Sequence, residues 1–158
     1  MPPDPVPPQA PDPGHLADSP DHPDEWARVR TAQALFAAHD PRALDACLKT
    51  LDDGADPLHL DQTPAVFSLR AIGRPALVPL FAKLEAEDRM TRLHAQRAVE
   101  GITKREFGFD GVSNWESGGL ERWEKWWRGV GYRSDAPSEA RRRAVARLGQ
   151  WLTTLAPG

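Results

Sequence analysis

The sequence contains a single cysteine, Cys47, among its 158 residues. One thiol excludes an intramolecular disulfide and a zinc site built from four cysteines. Hydrophobic runs are short, and none approaches the roughly 18 consecutive apolar residues that a membrane-spanning helix needs. The opening stretch, MPPDPVPPQAPDPG, has neither a basic start nor an apolar segment, which argues against a signal peptide. We therefore expect a cytoplasmic protein that does not associate with membranes.

Motifs for catalysis and cofactor binding are also missing. The five histidines form no HExxH pair, and the sequence has no Walker A loop, dinucleotide fingerprint or GxSxG nucleophile motif. Cys47 lies within an apolar helical stripe, where a small buried hydrophobe is a far more common role than a nucleophile. The sequence therefore predicts a protein that is not an enzyme and that binds no cofactor or metal.

The composition is that of an ordinary globular chain with an unusual beginning. Hydrophobic residues make up 40% and charged residues 27%, and the length fits one domain. Residues 1–24 hold nine of the sixteen prolines and almost no apolar side chains, so we expect a disordered Pro-rich tail. Helix-forming residues follow, and a single α-helical domain is expected over residues 25–158.

The pattern of apolar residues after the tail predicts an all-α fold. Amphipathic spacing recurs along the chain, and no segment shows the period-2 alternation of a strand. Thr63 is expected to cap a helix that has Pro64 as its first residue, and Asp88 is expected to cap a longer one.

A shift of 33 residues aligns the middle of the sequence with itself. Identical residues then coincide at helical spacing, at the pairs Ala43–Ala76, Leu44–Leu77, Leu51–Leu84, Leu60–Leu93, Ala65–Ala98 and Val66–Val99. Each unit, about 41–73 and about 74–105, is expected to form two antiparallel helices, near 41–53 and 63–72 in the first and near 75–86 and 89–104 in the second. Repeated helix pairs of this length indicate a short α-solenoid.

The segment AIGRPALVPLFAKLEAEDRMTRLHAQRAVEGIT, residues 71–103, resembles the HEAT-repeat family, in particular the short bacterial repeats also found in phycobilisome lyases. The resemblance implies that Asp88 caps the second helix and that Arg92 bonds to neighbouring turns. The first unit departs from this pattern, because Ala55 and His59 stand at the matching positions.

The C-terminal cap is expected over residues 119–156, where three tryptophans fall within five positions. On a helical wheel Trp123 and Trp127 share one apolar stripe with Leu120 and Val130, which predicts packing on the preceding repeat. Trp126 lies at the margin of this stripe. It is expected to pack on the last helix, or else to form an aromatic binding hot spot together with Trp115.

The long loop before the cap, FGFDGVSNWESGG, carries more aromatic residues. Phe107, Phe109 and Trp115 are expected to pin the loop to the helices, and Asp110 is expected to form an Asx turn.

These observations favour a non-catalytic protein-binding or scaffold module. The expected partner is another protein, and the candidate contact residues are Arg89, Arg92, His94, Gln96, Arg97, Trp115 and Trp126. One alternative is an enzyme-associated lyase-like or chaperone-like role, as the resemblance to bilin-attaching proteins implies. The other is nucleic-acid binding through the basic C-terminal helix, which is disfavoured because residues 41–118 carry ten basic and twelve acidic side chains.

Overall fold

The structure is a computed structural model that describes residues 21–157, and this part of the chain folds into seven α-helices. Their bounds are Glu25–Ala37 (α1), Ala43–Lys49 (α2), Pro64–Ile72 (α3), Leu77–Lys83 (α4), Arg89–Glu106 (α5), Gly119–Val130 (α6) and Ser138–Thr154 (α7). A short 3-10 helix, Arg74–Ala76, precedes α4. Within residues 21–157 there is no strand, and two isolated β-bridges lie in loops. The predicted all-α class is confirmed.

The helices begin where the sequence places capping side chains. The carboxylate of Asp24 accepts a hydrogen bond from the Trp26 amide at 2.8 Å, which starts α1. Thr63 Oγ1 accepts from the Val66 amide, and Asp88 Oδ1 accepts from the Thr91 amide at 3.0 Å. Side chains of this kind satisfy amide groups that a helix start leaves without a partner. Both predicted caps are therefore confirmed. Of the predicted disordered tail, residues 1–20 lie outside the described residues.

The first helix of the first predicted repeat is shorter than its sequence suggested. The prediction was about 41–53, whereas α2 ends at Lys49 and turns occupy residues 50–54. Two aspartates in these turns point to other helices: Asp52 bonds to His94, and Asp53 forms an ion pair with Arg28. These long-range bonds stabilise a turn where periodicity alone predicted helix.

The helices pack both with their neighbours in sequence and with every second helix. Contacts join α1 to α2, α2 to α3 and α4 to α5, and they also join α1 to α3 and α3 to α5. The α7 helix packs on α4 and α6. The largest buried apolar side chains lie between these elements, at Leu35, Leu69, Leu77, Leu80, Leu84, Ile102 and Leu148. Burial of a leucine-sized side chain contributes about 1.5–3 kcal/mol, so this core accounts for much of the stability.

Most of the residues that coincide at a shift of 33 have matching surroundings. Four identical pairs are buried in both members, namely Ala43–Ala76, Leu51–Leu84, Ala65–Ala98 and Val66–Val99. Leu60 breaks the pattern, since it is 58% exposed in the connection between α2 and α3, while Leu93 is half-buried. Leu44 is half-buried on α2 whereas Leu77 is completely buried, so the shared pattern holds for four of the six pairs.

The tryptophans of α6 cover the end of the helical core. Trp123 is buried, and its indole Nε1 donates to Thr103 Oγ1 on α5 at 3.0 Å. Trp127 is half-buried and stacks on Trp123, with ring centroids 5.8 Å apart. Packing of these two rings on the preceding helices is as predicted. Leu120, placed on the same stripe, is 38% exposed at the start of the helix.

The helices were compared with the length and hydropathy that a membrane span requires. Between residues 21 and 157, no single helix is both long and apolar enough to cross a membrane. The segments Pro64–Ile72 and Arg74–Lys83, which meet at 117°, reach the required length and composition only when taken together.

Candidate functional site

Arg92, one of the predicted contact residues, is buried and fully engaged inside the protein. It is 8% exposed, and its guanidinium donates to the carbonyl oxygens of Ala86 and Glu87 in the turn before α5. The same group donates to the Ser134 carbonyl in the connection between α6 and α7, at 2.8 Å. Arg92 therefore joins two turns, which is the role that the resemblance implied for it.

His94 is also buried, and it ties α5 to the connection between α2 and α3. The ring is 1% exposed, with Nδ1 2.7 Å from Asp52 Oδ1 and Nε2 2.7 Å from the Leu60 carbonyl oxygen. Because the carbonyl can only accept and the ionised carboxylate also accepts, both ring nitrogens carry a proton. Burial opposes the charged ring, but the bonds to Asp52 and Leu60 outweigh burial and raise the pKa of His94.

The other predicted contact residues of α5 lie closer to the surface. Arg97 Nε is 2.7 Å from Asp61 Oδ2, and its Nη1 is 2.9 Å from Glu100 Oε2. Gln96 donates to Glu100 Oε1 at 2.9 Å. Arg89 is exposed, and it shares a shallow cavity of about 280 Å³ with Gln96, Arg97 and residues 133–135. Of these α5 residues, only Arg89 is exposed and forms no side-chain hydrogen bond or ion pair within residues 21–157.

Trp115 and Trp126 are half-buried and contact different aromatic partners. Trp115 lies against Phe109, with ring centroids 4.9 Å apart, inside the loop before α6. Trp126 lies 4.6 Å from Trp151 on α7 and 5.2 Å from Phe107. Trp126 therefore serves the packing of the C-terminal cap, which was the structural alternative for it, whereas Trp115 contacts another ring of its own loop.

A groove beside α1 and α3 was not identified from the sequence. It has a volume of about 710 Å³ and lies between α1, the α2–α3 connection and α3. Its walls are mostly apolar and are formed by Gln33, Phe36, Gly54, Asp56, His59, Gln62, Thr63, Pro64, Phe67 and Ser68. One wall atom, the Gln62 side-chain oxygen, is buried and has no hydrogen-bond partner in the part of the chain that the structure describes. Grooves of this size and character are typical binding sites.

Phe67 separates this groove from a second cavity. The ring is 57% exposed on the outer side of α3, whereas its neighbours Val66 and Leu69 are completely buried. It lines both the groove and a cavity of about 420 Å³ that extends to α5. The sequence does indicate this apolar surface. Phe67 and Ala71 are four residues apart on α3, so their apolar side chains lie on the same face, opposite the buried one.

The second cavity, called the basic cavity below, is lined by three cationic side chains. They are Arg70 from α3 and Lys104 and Arg105 from α5, and the remaining lining residues are Phe67, Ala71, Gly101, Phe109, Gly111 and Val112. Arg70 Nε donates to the Arg97 carbonyl at 3.1 Å, and its guanidinium carbon is 5.4 Å from the centre of the Phe67 ring. Burial lowers the pKa of Arg70 from its usual value. The groove, Phe67 and the basic cavity thus form one continuous surface, which is the candidate interaction site.

Comparison with known proteins identifies no relative of this chain. No protein-family model, no curated protein and no solved structure matches the sequence or the fold at a significant level. Within residues 21–157, no three histidine, cysteine, aspartate or glutamate side chains converge as metal ligands would. The function is therefore argued from the candidate interaction site itself.

Proposed function

We propose that the chain is a short HEAT-like solenoid that acts as a non-catalytic module for binding another protein. Three observations support the solenoid: α1, α3 and α5 pack in succession, four coinciding residue pairs share burial, and Asp88 and Arg92 take the roles expected in that family. Solenoids present one layer of helices as an extended binding surface. Here that layer is α1, α3 and α5, on which the candidate interaction site lies.

The observation that carries the binding role is the exposure of Phe67 between two concavities. Residues that dominate binding energy are often aromatic or apolar anchors at the centre of a patch, surrounded by contacts that exclude water. Phe67 has the groove on one side and the basic cavity on the other, so a partner covering it would be held from both sides. Burial of the exposed part of this ring would contribute about 2–3 kcal/mol at ~25 cal/mol per Å².

The buried residues of α5 support this surface rather than form it. His94 holds the α2–α3 connection through Asp52 and the Leu60 carbonyl, and that connection supplies one wall of the groove. Arg97 holds the same connection through Asp61. Arg89 and Gln96, which line one shallow cavity, remain candidate contact residues on α5.

The experiment compares capture of partner proteins from native cell extract by the wild-type full chain and two variants. Phe67→Ala is expected to recover at least ten-fold less partner protein than wild type, because the substitution removes the aromatic anchor of the surface. Val78→Ala is the matched control, since Val78 is 64% exposed on α4 and lines neither the groove nor the basic cavity. Equal recovery by wild type, Phe67→Ala and Val78→Ala would contradict the proposal.

The volume of the groove supports a second candidate, a lyase-like or chaperone-like role with a bound organic group. A groove of about 710 Å³ lies within the range of ~300–1,000 Å³ that small-molecule sites occupy. Titration of the purified protein with a bilin, followed by absorbance, tests this role directly. A shifted and saturable spectrum that Phe36→Ala abolishes would favour the lyase-like role over the protein-binding role.

Nucleic-acid binding through α7 has less support than either. Arg143 forms an ion pair with Glu139 at 2.9 Å, and Arg142 lies 3.8 Å from Glu85. Arg141 donates to the Ala136 carbonyl. These bonds within the protein reduce the positive charge that α7 presents to a phosphate backbone.

A further inference from the structure

We propose that the basic cavity binds a phosphate monoester group. The group would be carried by a side chain of the bound protein, whose neighbouring residues lie in the groove across Phe67. This inference rests on the proposed protein-binding function and adds the chemical class that the surface recognises. Its basis is a set of three cations that face one cavity without an anion between them.

Arg70 differs from three other arginines that join separate segments of the described chain, whereas Arg92, like Arg70, bonds to backbone carbonyls. Arg28, Arg74 and Arg97 are each paired with a carboxylate, at distances of 2.9, 2.6 and 2.7 Å. Arg70 bonds only to a backbone carbonyl and to the face of Phe67, and no carboxylate of residues 21–157 lies within ion-pair distance of it. Removal of a cation from water without a counter-ion is unfavourable, so an anion in the basic cavity would offset this cost.

The two partners of Arg70 in the cavity lack carboxylate neighbours as well. Lys104 Nζ lies 4.7 Å from the centre of the Trp123 ring. The Arg105 side chain is exposed and forms no hydrogen bond or ion pair within the described part of the chain. Arg105 is therefore able to turn toward an incoming oxyanion without breaking a hydrogen bond or ion pair, whereas Lys104 would exchange its contact with the Trp123 ring for the oxyanion.

Three carboxylates near the cavity in sequence or by their charge bond to other groups. Asp61 and Glu100 both bond to Arg97, which shares their charge. Asp110 lies in the loop that forms one wall, but its oxygens accept four hydrogen bonds from its own turn, three of them from backbone amides. These bonds direct the Asp110 carboxylate into the loop, and they lower its pKa to about 2. The cavity therefore keeps an excess of positive charge.

The charge and the walls of the cavity favour a phosphate ester over a carboxylate. A phosphorylated side chain carries a charge of about −1.5 to −2 at neutral pH and three acceptor oxygens, which suits three cations better than a single carboxylate does. Arginine pairs with phosphate through two parallel hydrogen bonds. Phe67, Phe109 and Val112 form an apolar wall, which suits the carbon atoms that carry the ester.

Two glycines make room for the arginines of this cavity. A Cβ atom at Gly101 would lie 2.5 Å from the Arg70 side chain, and one at Gly111 would lie 2.8 Å from Arg105 Nη2. Gly111 also has a φ of +87°, which other residues rarely adopt. Any larger residue at either position would displace a cation from the cavity.

The probe for the first experiment is phenyl phosphate, titrated into the full chain by calorimetry at low ionic strength. We expect one site with a dissociation constant of about 0.1–1 mM, weakened about ten-fold by Arg105→Gln and further by Arg70→Gln, since each removes a charge-assisted bond. Arg128→Gln is the matched control, because this arginine is exposed on α6 and lines neither concavity. Benzoate, with a single charge, is expected to bind at least five-fold more weakly.

The outcomes of this titration separate the proposal from nonspecific charge attraction. Failure of phenyl phosphate to bind wild type, or equal weakening by Arg105→Gln and Arg128→Gln, would overturn it. Arg105 is exposed, so its variant decides the question even if Arg70→Gln reduces folding. A single-stranded oligonucleotide that displaces phenyl phosphate at a lower concentration than a phosphoserine peptide would contradict recognition of a phosphorylated protein.

A second experiment separates this inference from the proposed function. Cell extract is treated with phosphatase before capture, and wild type is compared with Phe67→Ala and Arg105→Gln. Loss of capture in both variants and after phosphatase supports a phosphorylated partner. If Phe67→Ala loses the partner while phosphatase and Arg105→Gln leave it bound, the basic-cavity proposal is wrong and the protein-binding function stands.

Discussion

His94 on α5 and Asp52 in the α2–α3 connection share a hydrogen bond of 2.7 Å across 42 residues of sequence. The ring is almost wholly buried, and its second nitrogen donates to the Leu60 carbonyl. Thr91 adds a bond of 2.5 Å to the other oxygen of Asp52. This cluster fixes the connection that forms one wall of the groove, so the protonation state of His94 affects both stability and the candidate interaction site.

The free energy of unfolding is expected to depend on pH through this pair. The pKa of His94 is raised in the folded protein, so the charged ring stabilises the fold. This contribution is complete below the unfolded pKa of about 6.5 and is lost as pH rises through the folded pKa. Asp52 is partly buried, which raises its pKa, but bonds to His94 and Thr91 lower it overall. The stabilising contribution of the Asp52 carboxylate is complete above its unfolded pKa of about 3.9. It is lost as pH falls through the pKa that Asp52 has in the folded protein.

Urea unfolding between pH 4 and pH 9 measures this dependence, with His94→Gln as the test variant. The variant is expected to be less stable by about 1–3 kcal/mol near pH 6, because it leaves polar groups without their charged partner. The difference from wild type should shrink toward high pH. His59→Gln serves as control, since this histidine is exposed. A difference that stays constant from pH 5 to pH 9 would show that His94 is not charged in the fold.

Arg92 is expected to be needed for stability rather than for contact with a partner. Arg92→Lys keeps the charge but cannot reach the carbonyls of Ala86, Glu87 and Ser134 together, so a loss of about 2 kcal/mol is expected. Arg89→Lys, one turn earlier on the exposed side of α5, should change stability by less than about 0.5 kcal/mol. Thermal and urea unfolding of the two variants give the comparison. Equal stability of both would contradict the role assigned to Arg92.

Trp123 is expected to be the most costly of the cap tryptophans to replace. Trp123→Phe removes the bond from the indole Nε1 to Thr103 and leaves a gap beside Trp127, which predicts a loss of about 2–3 kcal/mol. Trp26→Phe is the matched control, because the Trp26 side chain is more than half exposed. Urea unfolding followed by circular dichroism compares them. A larger loss for Trp26→Phe would mean that α6 does not seal the core as described.

Local features of this fold could be predicted from sequence where a side chain acts on its own helix. Thr63 and Asp88 cap helices because their oxygens reach amides three residues ahead, and that spacing is visible in the chain. The burial of Val66 and Val99 follows from helical periodicity. The burial of Arg92 and His94 could not be predicted as readily, since their polar side chains suggest a surface position and their partners lie in distant turns.

The candidate interaction site was missed for a related reason. Periodicity identifies which side of α3 is buried, but it does not reveal that α1 and α5 lie on either side of the exposed face. Phe67 and Arg70 acquire their significance only from those neighbours. Arg70 and Lys104 are 34 residues apart in sequence, and the packing of α3 on α5 brings them to one cavity.

The most direct test of the binding role is photo-crosslinking in the native cell from position 67. The full chain would carry a photoreactive phenylalanine derivative in place of Phe67, and a second version would carry it in place of the exposed Val78 on α4. The account predicts a discrete cross-linked protein from position 67 that position 78 does not give. No cross-link from position 67, or the same products from both positions, would contradict a partner at this surface.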